Sequence, residues 1–199
     1  MNRLTVRVAL ALSLLGGLPG GGAAARTPAP MPQQRAAEGA GMNARAIQDA
    51  RPALDLLITA RLLADLLEHG QIVLDAGASQ ELDGALRPLA AARTLRPTEA
   101  AALDRAVRSA LTPSQALALE RARAALEGRA QALMARARFA APDGPPNLIL
   151  IRYGLMVPGG QATVKRLLET QHNPFGPSGD NAALLARLLA LLEDQTAAP

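Results

Sequence analysis

The sequence predicts an all-α fold, a single-domain bundle of about six or seven helices, and three observations carry that prediction. Almost half of the 199 residues are apolar, yet Phe139, Tyr153 and Phe175 are the only aromatic ones, so a core must be built from leucine and alanine. That composition suits closely packed helices rather than sheets. Apolar residues also recur at helical spacing, most plainly at Leu119, Leu126 and Leu133, and helix-start signals recur ahead of them.

The first segment, Met1 to Ala25, reads as a secretory signal peptide. Arg3 and Arg7 precede an apolar run from Val8 to about Leu18, and Ala23-Ala24-Ala25 supplies small residues for cleavage before Arg26. The run is too short for a bilayer, which needs about twenty apolar residues. Residues 26–42, rich in Pro, Gln, Ala and Gly, are expected to be a disordered leader. The helical domain then occupies 43–199. Its first helix is clearest from Pro52 to His69, where leucines cover most of the circumference; a helix so apolar is expected to be central, and Gly70 ends it.

Asp75 begins the next helix, with Pro88 marking a kink or boundary within 75–93. Two further helices start from related cassettes. Leu95-Arg96-Pro97-Thr98-Glu99 leads to Leu103, and Leu111-Thr112-Pro113-Ser114-Gln115 leads to Leu119 sixteen residues later. In the second, Thr112 caps orphan N–H groups, Pro113 takes the first helical position where no N–H is needed, and Gln115 reaches back to close the box. This long central helix is expected over about 113–139. Its leucine seam should pack along another helix, and Gly128, in its middle, costs about 1 kcal/mol relative to alanine.

The C-terminal helical part covers 147–193. Asn147 to Val157 has a β-branched run that suits a strand, but no second strand exists to pair with it, so a short buried helix capped by Asn147 is expected. An amphipathic helix over 161–171, a Pro/Gly loop holding Phe175 inward, and a last helix capped by Asp180 complete the chain.

Several function classes are excluded by composition. No cysteine means no disulfide framework and no thiolate chemistry. The formal charge is only +4, and losing Arg3 and Arg7 leaves 19 basic against 17 acidic residues, too balanced a surface to attract nucleic acid strongly. His69 and His172 are the only histidines and sit over a hundred residues apart, in no context resembling a catalytic triad. A two-histidine metal site assembled by folding is the one arrangement left open. Gly159-Gly160 lacks the lysine and spacing of a phosphate loop. No catalytic, cofactor-binding or metal residue is therefore assigned, and no enzyme activity is expected.

One binding feature stands out. Arg121, Arg129 and Arg136 lie within about 80° of one another on the central helix, off the leucine seam. With Arg105, Arg108, Arg123 and Arg138 they read either as a solvated face interleaved with Glu120 and Glu127, or as a basic, leucine-edged surface for polypeptides.

At Leu111-Thr112-Pro113-Ser114-Gln115 the chain resembles the LTxxQ-motif family, the Spy/CpxP-like exported helical proteins of bacteria; Leu95-Arg96-Pro97-Thr98-Glu99 stands as a second copy with Arg for Thr and Glu for Gln. The likeness covers about Leu95 to Arg138. It implies a periplasmic, chaperone-like or envelope-stress role, with Leu111, Thr112 and Gln115 as helix-start residues. The expected partners are polypeptide clients or an envelope protein, without cofactor, nucleic acid or stable membrane insertion, in the periplasm or outside the cell. The alternative is a structural module of the envelope that self-associates, as a homo-oligomer, through the Leu119/Leu126/Leu133 seam.

Overall fold

A computed structural model describes residues 32–137 and 147–197. They form seven α-helices in chain order: α1 (Pro32–Glu68), α2 (Ala76–Leu86), α3 (Pro97–Ser109), α4 (Pro113–Ala137), α5 (Leu148–Met156), α6 (Gly160–Glu169) and α7 (Ala182–Ala197). A 3-10 turn, Arg87–Ala90, follows α2, with Pro88 at its start as the sequence predicts. Among the described residues there is no strand, only one isolated antiparallel bridge between Thr94 and His172. The fold is an all-α bundle. The expected signal peptide, residues 26–31 of the leader, and Arg138 and Phe139 lie outside the described residues.

The bundle is organised around α1. From Ala53 to Leu67 nearly every position is buried, including Leu54, Leu56, Leu57, Ile58, Leu63 and Ala64, because α3, α4, α6 and α7 all pack against this one helix. Its start differs from the expectation: the helix runs back to Pro32, so residues 32–42 of the expected leader are helical. Alanine, glutamine, glutamate and arginine propagate a helix readily once a packed segment has nucleated it. Pro52 lies inside the helix. There it leaves the Gln48 carbonyl without its helical donor.

Around this spine, α2 pairs with α7 and α5 with α6. Asp75 caps α2 as expected, accepting from the Ala78 N–H at 2.8 Å. The C-terminal part is fastened by Asn173, whose buried side chain donates to the carbonyls of Leu89 (2.7 Å) and Ala92 (2.9 Å) and accepts from the Phe175 N–H (3.0 Å). The backbones of 93–95 and 171–173 run beside one another, Asn173 N–H donating to Arg93 and Leu95 N–H to Gln171. The chain passes so close here that a Cβ on Gly176 would sit 2.3 Å from the Ala92 carbonyl oxygen. Phe175 is buried, as its place in the loop suggested.

Two expectations need correction. Residues 148–156 are indeed helical, with Asn147 accepting from the Leu150 N–H at 3.1 Å, but the helix is not buried. Leu148, Ile149 and Leu155 are 36, 44 and 37% exposed, because α5 rests mainly on α6 and α4 while its other side has no covering element among the described residues. Asp180 does not cap α7 with its side chain. Arg166 takes that carboxylate at 2.7 Å, with Thr163 3.5 Å away, and the helix begins one residue later, Leu185 N–H donating to the Asn181 carbonyl.

Among the described residues no helix is long and apolar enough to cross a membrane.

Candidate polypeptide-binding surface

The start of α4 follows the chemistry read from its sequence. Gln115 Oε1 accepts from the Thr112 N–H at 2.8 Å, Thr112 Oγ1 faces the Gln115 N–H at 3.4 Å, and Leu111 is buried beneath the turn. Pro113 opens the helix. A further contact was not legible from local spacing: Gln115 Nε2 donates to the Val73 carbonyl at 2.6 Å. One side chain thus closes its own cap and holds the α1–α2 connection, 42 residues upstream. At α3 only half of the box exists. Glu99 accepts from the Arg96 N–H at 3.1 Å, but Arg96, whose guanidinium has no acceptor atom, returns nothing.

The leucine seam divides along α4. Leu119, Leu126 and Ala130 are buried, whereas Leu133 is 48% exposed. From Gln131 to Arg136 no residue of the helix is buried, so these turns extend past the body that covers the rest. The seam thus packs within the fold for most of its length, as its spacing suggests, and of its three leucines Leu133 is the one left exposed.

The arginine set divides too. Arg123, among the least exposed of the charged side chains, reaches Asp55 on α1 and Glu127 on its own helix at 3.8 Å. Arg152 of α5 joins the same Glu127 at 3.1 Å, which ties α1, α4 and α5 through alternating charges. Arg108 holds Asp104 at 2.8 Å and also pairs with Glu120. Burial works against the charge on Arg108, but those two carboxylates outweigh it and raise the guanidinium above its ordinary pKa. Asp104 in turn accepts from the Thr59 hydroxyl at 2.6 Å, on the buried face of α1.

These pairings use up the acids of α4. Glu120 and Glu127, which on sequence interleave with the outer arginines, are instead committed to Arg108, Arg123 and Arg152. Arg121, Arg129 and Arg136 are exposed, and none forms an ion pair among the described residues. They span about 22 Å of helix at 1.5 Å per residue. Leu117, half exposed, lies on the same side, with Ala124, Ala125, Gly128, Ala132 and Ala135 between them.

The histidines occupy different surroundings. His69 closes α1, its Nδ1 2.6 Å from the Asp65 carbonyl, and borders a groove between α1 and α4 that Arg129 also lines. His172 lies beside Thr170, Nδ1 to Oγ1 3.2 Å, at the edge of a groove of about 450 Å³ between α1 and the end of α6. Burial, then the charge of Arg166, hold its pKa below the usual histidine value. Among the described residues no group of three or more His, Asp or Glu side chains is placed to hold a metal ion. The chain matches no family model, no curated protein and no solved structure.

Proposed function

We propose that this is an exported, non-enzymatic helical protein that binds other polypeptides through α4, in the manner of a periplasmic chaperone or envelope-stress adaptor. The observation that carries the reading is the row formed by Arg121, Arg129 and Arg136, exposed and without acidic partners among the described residues while the neighbouring glutamates are engaged elsewhere. Such a row attracts acidic or unfolded chains at long range, and exposed leucines at its edges, Leu117 and Leu133, give them apolar area to rest on. The test is suppression of aggregation of unrelated unfolding proteins at near-stoichiometric ratio. Suppression should weaken in high salt, and in a variant carrying Arg121→Glu, Arg129→Glu and Arg136→Glu. No suppression at any ratio removes the reading. For the export half, the N-terminus of the mature protein should be Arg26; an intact Met1 to Ala25 segment on cytosolic protein contradicts it.

A second reading, self-association within the envelope, is favoured by one observation on α5. Leu148, Ile151 and Leu155 stand at helical spacing on one side, and the first and last are exposed. A dimer or larger assembly in sedimentation velocity that dissociates on Leu148→Glu or Leu155→Glu supports it.

A further inference from the structure

Between the three outer arginines the surface of α4 has very low relief. Ala124, Ala125, Gly128, Ala132 and Ala135 are all exposed, and a Cβ built on Gly128 would meet nothing within 4 Å. Its backbone is not in the left-handed region, so neither space nor conformation within the fold asks for glycine there, although it weakens an exposed helix by about 1 kcal/mol. The charges beside this floor follow a helical repeat, eight residues from Arg121 to Arg129 and seven from Arg129 to Arg136. A helix laid against such a face approaches closely, since interaxial distance falls as the contacting side chains shrink. Charge decides what kind of helix. A second copy of α4 would bring arginines against arginines, whereas carboxylates at the same repeat meet all three. Nucleic acid is the less suitable polyanion, for among the described residues no exposed aromatic side chain stands on this face to stack a base.

We propose that the outer face of α4 docks an acidic amphipathic helix of a partner protein, its carboxylates seven and eight residues apart meeting Arg121, Arg129 and Arg136 and its small-residue face seated over Gly128. This rests on the polypeptide-binding reading and names the partner class. Two fluorescein-labelled alanine-rich peptides of about 21 residues, one with glutamates at that repeat and one with the same composition scrambled, are titrated with the full chain and followed by anisotropy. The matched peptide binds several-fold more tightly than the scrambled one, and its affinity falls with salt. Each single Arg→Ala change weakens it by about two- to fivefold, the range of an exposed ion pair. Gly128→Leu, which raises the melting temperature by about 2–4 °C, weakens it by about tenfold or more by holding the helices apart. Equal affinity for both peptides, undiminished binding to the Gly128→Leu variant, or equally tight binding of single-stranded DNA overturns the proposal. If the matched peptide fails while aggregation is still suppressed, the docking proposal falls and the polypeptide-binding reading stands; loss of both removes both.

Discussion

Asn173 shows how much one buried amide determines. Its side chain satisfies the Leu89 carbonyl and the Phe175 N–H in buried bonds and the Ala92 carbonyl in a half-buried one, so Asn173→Ala leaves several groups unpaired at once. At about 1–3 kcal/mol for each orphaned group, the loss should be about 3 kcal/mol or more, read as a lower urea midpoint. Gly176→Ala should destabilise as well, since its new methyl would meet the Ala92 carbonyl oxygen at 2.3 Å and that oxygen belongs to the backbone, which cannot swing aside. Next door, His172 gives the fold a pH dependence. Its pKa is depressed in the folded chain, so the unfolded chain takes up the proton first. Stability is therefore fully present above the ordinary histidine value of about 6.5 and declines as pH falls through it toward the folded pKa. Denaturation midpoints measured across that window should drop for the parent and drop less for His172→Gln.

Among the elements, α4 is where sequence and structure correspond most directly, because capping is local chemistry. Thr112→Ala should cost about 1 kcal/mol. Gln115→Ala should cost more, since it also releases the Val73 carbonyl, and Gln115→Glu, which keeps an acceptor for the Thr112 N–H but loses the Nε2 donor, should lower the urea midpoint by that excess alone. That second contact was invisible to spacing arguments, which see neighbours on one helix and not a partner 42 residues away. The same limit explains the misjudged burial of α5. Its apolar run correctly signalled a helix with an Asn cap, but how much of a helix is covered depends on what stands opposite, and among the described residues α4 and α6 are the elements that do so closely. The arginines illustrate the point in reverse: a sequence places Glu120 and Glu127 beside the outer row, while tertiary pairing sends their carboxylates to Arg108, Arg123 and Arg152. Asp180 was likewise taken by Arg166 rather than by the helix it precedes.

On the scale of the whole molecule, the all-α class and the central place of α1 were legible because composition and circumferential apolarity are global properties of the chain. What was not legible is which faces remain open, and those faces carry the functional reading. The core gathers apolar side chains of α3, α4, α6 and α7 onto α1, and α7 alone contributes Leu184, Leu185, Leu188, Leu189 and Leu192. Leu188→Ala should lower stability by about 2–5 kcal/mol, measured in urea, without changing helical content at low denaturant.

That a helix near the beginning is roofed by helices near the end has a consequence for biosynthesis. While the ribosome is still at work, the growing chain displays an uncovered, leucine-studded rod whose native cover has not yet been made. Premature termination before codon 182 would leave part of that rod bare for good, and the truncated product should partition into inclusion bodies while the full-length chain does not.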